Sequence, residues 1–247
     1  YRVGVDIGGT FTDFCVFDEE SGAMHTLKVL STPDRPGQEV IDGVAALGER
    51  HGVVPSEINY FTHGTTVGVN SVIQRKGINL CLFTTAEFED VLEVARLKMP
   101  DPYDLLSHRA PPLVSRDKVF GIRERMLFDG SIDQPLDEDS VHEAIARVRQ
   151  VGGDGVVVSL LHAYRNPVHE RRVSEIIRAE APDLSVTCAG DVWPVIREYE
   201  RTVTAVVAGY VQPRVAHYLS AFQDALMSAG VPAEPMLTKS NGGVMTA

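Results

Sequence analysis

A segment near the start of the chain combines residue types that suit phosphate binding. It reads Asp6-Ile7-Gly8-Gly9-Thr10-Phe11-Thr12-Asp13 and lies between two apolar runs. The glycine pair lets backbone N–H groups approach an anion without an obstructing Cβ, and Thr10 and Thr12 add hydroxyl donors. Asp6 could hold Mg²⁺ directly or through water, and the cation would offset repulsion between its carboxylate and a phosphate. The alternative is an ordinary hairpin turn, because the segment matches neither the Walker loop nor the dinucleotide-binding fingerprint.

A second segment, Thr62-His63-Gly64-Thr65-Thr66, falls between a predicted strand and a predicted helix. The free N–H groups and the dipole of a helix N-terminus attract anions. His63 could donate to a phosphoryl or carbonyl oxygen, or transfer a proton. The alternative is a helix-capping sequence in which His63 bonds to the backbone.

Residues 97–117 form a third candidate region. Pro100, Pro102, Pro111 and Pro112 oppose regular structure, and a loop of this length in a compact domain is typically functional or mobile. Basic side chains here would suit an anionic intermediate or a carboxylate, whereas the alternative is a solvated excursion. The candidate substrate or partner residues are Arg96, Lys98, Tyr103, Asp104, His108, Arg109 and Arg116.

The elements that must position these segments alternate between predicted strands and predicted helices, which is typical of an α/β domain. Gly77 is expected just past the end of the helix after Thr66, and Asp137 is expected to cap a later helix. Pro33 and Pro36 are expected to break the chain, and Pro213 is expected to kink or split a final helix over 197–229. Strands are predicted over residues 2–7, 11–18, 24–30, 58–62, 78–83, 119–128, 155–161, 184–188 and 235–239.

Composition narrows the function classes. The net charge of −11 disfavours a nucleic-acid-coating role, and no apolar run is long enough to cross a bilayer. Three distant cysteines, Cys15, Cys81 and Cys188, indicate a reducing cytosol and are expected to be buried or inert. The chain starts without Met, shows no secretory signal and ends without a closing element, so we expect a trimmed piece of a longer cytoplasmic protein.

Other polar groups are expected to be structural. His162 and His169 are predicted to be satisfied loop or cap histidines, because no compact metal-ligand spacing is present. Charged residues of the final helix are predicted to form a face exposed to solvent. The alternative is that they stabilise a hinge between two lobes. They are Arg197, Glu198, Glu200 and Arg201.

Taken together, these motifs resemble the hydantoinase/oxoprolinase family, in its hydantoinase-A-type subunit. The Asp6–Asp13 segment is similar to the first phosphate motif of the actin–hexokinase–chaperone ATPase superfamily, and the resemblance spans nearly the whole chain. The motifs that narrow the resemblance from this superfamily to the hydantoinase/oxoprolinase family are His63-Gly64-Thr65-Thr66, Asn70, Arg75-Lys76-Gly77, Phe88-Glu89-Asp90-Val91-Leu92-Glu93, Leu161-His162-Ala163-Tyr164-Arg165-Asn166-Pro167 and Arg197-Glu198-Tyr199-Glu200-Arg201-Thr202.

The resemblance implies a fold and a division of the chain. The fold would be an α/β, actin-like (ribonuclease H-like) ATPase lobe with a mixed sheet and flanking helices, followed by the start of a second lobe. Residues 1–180 would form the N-terminal domain and residues 181–247 the truncated start of the next. Because the rest of the nucleotide cleft belongs to the second lobe, this chain alone would bind ATP weakly and turn over little.

The resemblance also implies a function: ATP-dependent hydrolysis of a cyclic amide of the hydantoin, N-methylhydantoin or 5-oxoproline type, with Mg²⁺. The alternative within the family is the ATP-using subunit of an acetone- or acetophenone-type carboxylase, with a ketone substrate. A hydantoinase-B-type partner is expected, and homo-oligomerisation is left open. Gly8, Gly9, Thr10 and Thr12 would bind phosphates, Asp6 would bind the metal, and His63, Thr65, Thr66 and Asp13 would be catalytic, with Arg96, Tyr103 and Arg116 on the substrate or partner loop.

Two readings from outside this family stay open. One is a sugar- or acetate-kinase-like enzyme that uses the same phosphate motif, although the His-Gly-Thr-Thr segment is not typical of such kinases. The other is a non-catalytic, nucleotide-sensing assembly subunit.

Overall fold

The computed structural model describes residues 1–32, 35, 37–239 and 241–246, and it shows a mixed α/β chain. The strands are β1 (Arg2–Ile7), β2 (Phe11–Phe17), β3 (Met24–Leu30), β4 (Tyr60–Thr65), β5 (Leu80–Thr85), β6 (Val119–Ile122), β7 (Arg125–Met126), β8 (Ile132–Gln134), β9 (Gly155–Ser159), β10 (Ser185–Cys188), β11 (Pro235–Thr238) and β12 (Val244–Thr246). The helices are α1 (Gln38–His51), α2 (Val67–Ile73), α3 (Val91–Val94), α4 (Glu138–Gln150), α5 (Val168–Glu180), α6 (Ala189–Val192) and α7 (Glu198–Ser228).

The chain divides into two compact units. The first comprises Tyr1–Asn70 and Arg214–Ala247, and the second comprises Ser71–Pro213. Both boundaries fall inside helices, α2 and α7. The predicted division at residue 180 follows chain order rather than spatial units, and it stays a prediction.

The first unit is built on a six-stranded sheet in the order β12-β11-β4-β1-β2-β3. Strands β1, β2 and β3 form an antiparallel meander, and β4 runs parallel to β1. Alternation along these strands sends Val3, Val5 and Phe14 into a core with α1 and the later part of α7. The polar residues between them lie on the opposite face, so this sheet has one apolar face and one polar face.

The second unit is built on a parallel four-stranded sheet in the order β10-β9-β5-β6. Every residue of β9 is buried, as its continuous apolar run predicts for a strand covered on both faces. Val156 and Val158 pack in one core with residues of α4 and α5, and Val157 packs in another with residues of α7.

Several predicted elements differ from those observed. Strand β4 continues to Thr65, and so includes His63 and Gly64, because it pairs with β1 along that length. Helix α7 is a single helix that contains Pro213, so of the two predicted outcomes, a kink or a split, the split does not occur. Gly77 does not follow the end of α2; its glycine is required because a Cβ there would lie 2.3 Å from the Tyr210 ring.

Two further observations concern the sequence predictions. Pro33 and Pro36, the predicted break, lie outside the described residues. No helix in the described ranges has the length and apolar composition needed to cross a membrane.

Candidate functional site

The tight turn between β1 and β2 is the predicted phosphate segment. The amide of Gly8 donates to the carbonyl of Phe11 at 3.0 Å, and a Cβ at Gly8 would lie only 2.9 Å from that oxygen. Gly9 and Thr10 are exposed, and a Cβ at Gly9 would meet no atom within 4 Å. Gly8 is therefore needed to close the turn, whereas Gly9 leaves open space at the edge of the sheet.

Thr12 supports this turn from beneath. Its side chain is fully buried, and its Oγ1 lies 2.9 Å from the Oγ of Ser31. Ser31 donates its hydroxyl proton to the carbonyl of Gly8 at 2.8 Å, so Thr12 must be the donor to Ser31. The prediction that the Thr12 hydroxyl cradles phosphate is therefore wrong, because alternation along β2 directs it into the core. Sequence reasoning missed Ser31, which holds the turn across a loop.

Asp6 and Asp13 form the acidic pair of the site. They are directly opposite each other in the β1–β2 register, and both are exposed on the polar face of the sheet. Lys28 on β3 lies 3.0 Å from Asp13. No Lys, Arg or His in the described part of the chain lies within 4.0 Å of the Asp6 carboxylate, so no side-chain cation neutralises its charge.

An open cleft of about 470 Å³ lies on this polar face. Both carboxylates line it, and a Cβ added at Gly64 would lie 3.4 Å from Oδ1 of Asp6 and only 3.2 Å from Oγ1 of Thr238, so glycine at this position keeps that part of the cleft open. Cys15 is exposed in the cleft, which contradicts its predicted burial, because it shares the face of Asp13 two residues away. The full lining is Gly4, Val5, Asp6, Asp13, Phe14, Cys15, Thr26, Thr62, Gly64 and Thr238.

The residues present fit Mg²⁺ bound together with phosphates. Mg²⁺ commonly takes one or two carboxylates from the protein and completes its shell with phosphate oxygens and water. Among the described residues, no group of three or more His, Cys, Asp or Glu side chains could hold a metal alone. The site could therefore hold a cation as part of a metal–phosphate complex rather than as an isolated structural ion.

His63 lies on the opposite face of the sheet. Its imidazole is fully buried and stacked on Phe222 with ring centroids 4.4 Å apart, and its Nε2 lies 2.8 Å from the hydroxyl of Tyr218. Burial lowers the pKa of His63 to about 4. His63 therefore does not reach the cleft of Asp6, which its predicted catalytic role would require, and it is a neutral, packed side chain at neutral pH.

Thr65 and Thr66 organise the start of α2. Thr65 Oγ1 accepts the amide of Val67 at 3.2 Å, and Thr66 Oγ1 accepts the side-chain amide of Asn70 at 3.0 Å. These contacts match the capping alternative, while both side chains stay partly exposed. A catalytic role for either residue stays a prediction.

The predicted substrate or partner loop belongs to the second unit. Arg96 makes a two-pronged ion pair with Glu200 on α7, with Nε 2.7 Å from Oε1, and Arg116 pairs with Asp90 at 2.5 Å. Tyr103 is almost completely exposed. Both arginines thus have carboxylate partners within their own unit, whereas the exposed ring of Tyr103 is available to contact another molecule.

The second unit also contains buried polar groups. His169 is buried with its Nδ1 2.7 Å from Glu124, as the prediction of a satisfied histidine requires. Arg201 is completely buried and donates to the carbonyls of Leu160 at 2.6 Å and Val195 at 3.2 Å. The predicted solvated face is therefore wrong for Arg201, because the loops around the start of α7 offer it carbonyl acceptors.

The sequence of this chain is similar to those of several known proteins. A family model described as the hydantoinase/oxoprolinase N-terminal region matches residues 2–181, and one described as hydantoinase/oxoprolinase matches residues 201–247. An uncharacterised protein of Methanocaldococcus jannaschii is 36% identical over 247 residues, which cover 99% of this chain and 36% of that protein. Caprolactamase subunit alpha of Pseudomonas jessenii is 35% identical over 250 residues, with coverage of 99% and 36%.

Solved structures agree with these relatives. The crystal structure of the ATP-dependent caprolactamase from Pseudomonas jessenii has a TM-score of 0.88 to this chain at 35% identity, with coverage of 99% of this chain and 36% of that one. The nucleotide-free acetone carboxylase structure also has a TM-score of 0.88, at 27% identity and coverage of 99% and 37%. The chain thus spans about a third of the length of the relatives that it matches.

Proposed function

The chain belongs to the hydantoinase/oxoprolinase family, and from that premise we propose that it supplies the phosphate-binding part of an ATP-dependent cyclic amide hydrolase. Its substrate would be of the hydantoin, N-methylhydantoin or 5-oxoproline type. The observation that carries the proposal is the pairing of Asp6 with Asp13 in an open cleft beside the Gly8–Thr10 turn. In this arrangement a metal-bearing triphosphate would meet carboxylates and exposed backbone N–H groups together.

Different residues of the cleft would bind the metal and the phosphates. Asp6, whose carboxylate has no cationic neighbour among the described residues, would hold Mg²⁺ directly or through water. Gly9 and Thr10 would present backbone N–H groups and a hydroxyl to the terminal phosphates, on a turn fixed by Thr12 and Ser31. Bound ATP would supply the phosphoryl group that activates a carbonyl oxygen of the substrate.

Asp13 would play a weaker part than Asp6. Its ion pair with Lys28 already neutralises much of its charge. It would therefore orient water in the metal shell rather than bind the metal directly, and its loss would be felt less.

The complete enzyme would require more than this chain. One of the matched relatives is subunit alpha of a caprolactamase, and this chain spans only 36% of that subunit. We therefore assign the remaining part of the nucleotide site to further sequence and expect a hydantoinase-B-type partner. Alone, the 247-residue chain would bind ATP weakly; calorimetry that gave micromolar affinity would contradict this. A cytoplasmic location stays a prediction.

The decisive experiment compares Asp6→Asn with the unchanged complete enzyme, assayed for ATP hydrolysis with hydantoin, 5-oxoproline and caprolactam as substrates. Loss of a carboxylate that holds a catalytic cation should lower kcat by about 100-fold or more and raise the Mg²⁺ requirement. Glu49→Gln, an exposed carboxylate change on α1, is the matched control and should leave turnover unchanged. Unchanged turnover in Asp6→Asn would refute the assignment, and no ATP hydrolysis by the unchanged enzyme with any lactam would favour a nucleotide-sensing assembly subunit.

A second candidate is the ATP-using subunit of a ketone carboxylase. It is favoured by the acetone carboxylase structure, whose TM-score of 0.88 equals that of the caprolactamase. Bicarbonate-dependent consumption of acetone or acetophenone, without ring opening of a lactam, would establish this alternative.

A further inference from the structure

The polar face of the sheet in the first unit carries a cation beside its acidic pair. Among the described residues, Lys28 is the basic residue within 4.0 Å of either carboxylate, with its Nζ 3.0 Å from Oδ1 of Asp13. Asp6 of β1 faces Asp13 of β2 in the sheet register, and Asp13 faces Lys28 of β3. The three charged side chains therefore form one row across three strands, which we call the charged row.

Two contacts fix the position of the Lys28 ammonium. One is the Asp13 carboxylate, and the other is the Phe11 ring, whose centroid lies 5.2 Å from Nζ, within the range of a cation–π interaction. Phe11 directly follows Thr10, so the ring connects the ammonium to the end of the phosphate turn. An ammonium has three N–H donors, and one carboxylate and one ring face leave a donor for a further acceptor.

The ion pair by itself gives Lys28 little structural value. The side chains of Lys28 and Asp13 are 57% and 52% exposed, and exposed pairs contribute little to stability because water screens their charges. The same exposure leaves the ammonium accessible to a molecule bound over the charged row. Lys28 is thus held in place without being committed to Asp13.

The spacing within the charged row matches the size of a phosphoryl group. Directly opposite residues on antiparallel strands have Cβ atoms about 5 Å apart. A metal ion held by Asp6 and the ammonium held at Asp13 are therefore separated by roughly one such step. Magnesium–oxygen bonds are about 2 Å long and ammonium–oxygen hydrogen bonds are about 2.8 Å long, so a single phosphoryl group can contact both cations.

We propose that Lys28 binds the terminal phosphoryl group of ATP on the side away from the metal, an inference that rests on the proposed function. The adenosine end of the nucleotide is assigned above to further sequence, so the free end of the phosphate chain is the part that reaches the charged row. Two carboxylates repel a triphosphate, and Lys28 offsets the part of this repulsion that Mg²⁺ leaves. Asp13 is then a positioning residue that holds the ammonium in the row.

The experiment measures, by calorimetric titration of the complete enzyme, the dissociation constants of a non-hydrolysable MgATP analogue and of MgADP. Lys28→Met keeps the length of the side chain and removes its charge, so it should weaken binding of the analogue by about tenfold or more and that of MgADP much less. Lys28→Arg restores the charge and should recover most of the lost affinity. Arg50→Met removes an exposed cation of α1, which packs on the opposite face of the sheet, and should change neither constant.

Asp6→Asn, titrated in parallel, distinguishes this proposal from the proposed function. Weaker binding in Asp6→Asn with unchanged binding in Lys28→Met would overturn the role of Lys28 and leave the metal site intact, whereas unchanged binding in both would overturn both. Equal losses for the analogue and MgADP in Lys28→Met would also overturn it, since a lysine that only supports the sheet cannot distinguish the terminal phosphate. Circular dichroism verifies folding, and Lys28→Gln takes the place of Lys28→Met if the latter does not fold.

Discussion

Replacing His63 by Phe should change how the stability of the chain depends on pH. The imidazole has an ordinary pKa of 6.5, which burial in the folded chain lowers to about 4. Below about pH 6.5 the unfolded chain therefore binds a proton that the folded chain refuses, so His63 costs no stability at higher pH and an increasing amount as the pH falls. At about 1.4 kcal/mol per pKa unit, the full loss is about 3.5 kcal/mol, of which about 3 kcal/mol is reached at pH 4.

The assay is urea unfolding at several pH values between about 4 and 7, with the difference in unfolding free energy between His63→Phe and the unchanged chain as the readout. This difference is needed because buried Glu170 acts in the opposite direction: burial raises its pKa to about 7, so its contribution is lost as the pH rises. Subtraction removes the Glu170 contribution and leaves that of His63. Phe preserves the stacking on Phe222, and any lost contact with Tyr218 adds an offset that does not depend on pH.

The expected result is a difference that favours His63→Phe increasingly toward acid, by about 1.4 kcal/mol per pH unit below pH 6.5. The matched control is His217→Phe, which changes an exposed histidine of α7 and should follow the unchanged chain. A His63→Phe curve parallel to that of the unchanged chain would mean that His63 titrates normally, and the description of its buried, neutral state would be wrong.

Two further predictions concern the turn and the buried arginine. Gly9→Ala should leave the melting temperature nearly unchanged but weaken nucleotide binding by the complete enzyme. Gly8→Ala should instead lower the unfolding free energy by about 1–3 kcal/mol, because its Cβ would crowd the carbonyl of Phe11. Calorimetric melting measures the effect on stability, and calorimetric titration measures the effect on nucleotide binding. Arg201→Met should reduce the unfolding free energy by about 1–3 kcal/mol, since it leaves buried carbonyls without donors. Arg197→Met, an exposed change one turn away, should cost much less in the same denaturation assay.

Local sequence patterns were sufficient to predict the bounds of several secondary-structure elements. The bounds of β1 and β3 follow from their flanking turns, and Asp137 caps α4 as predicted, with its side chain accepting the amide of Asp139. These features depend on neighbours a few residues away. The grouping of Asp6 with the glycine turn follows from one short segment, whereas the α/β class follows from the alternation of predicted strands and helices, and the family from a set of motifs spread over nearly the whole chain.

The remaining features depend on partners distant in sequence. His63 was misplaced because the polar Thr-Gly-Thr context does not resemble a strand, yet pairing with β1 extends β4 through it and fixes which face it occupies. Thr238 also lines the cleft, although it lies 175 residues after His63 in the sequence. Its hydroxyl donates to the backbone carbonyl of His63. Arg201 lies in a run of charges typical of a solvated helix, and only the fold brings the carbonyl of Leu160 to it.

Cys15 offers a chemical probe of the cleft that does not depend on turnover. Cys81 and Cys188 are buried, and burial raises the pKa of each thiol to about 11, so only about one in a thousand is ionised at pH 8. A thiol reagent should therefore modify one cysteine rapidly in the native chain, and Cys15→Ser should abolish that rapid phase.

Because Cys15 and Asp6 line one cleft, occupancy of the cleft should slow that modification. Millimolar MgATP should protect Cys15 in the complete enzyme, and Asp6→Asn should remove the protection without changing the reactivity of the unliganded thiol. ATP with excess chelator should protect less, since the carboxylate and the phosphates then repel each other without a cation between them. If MgATP saturates turnover and Cys15 still reacts at its unliganded rate, the nucleotide binds elsewhere, and the acidic cleft has another purpose.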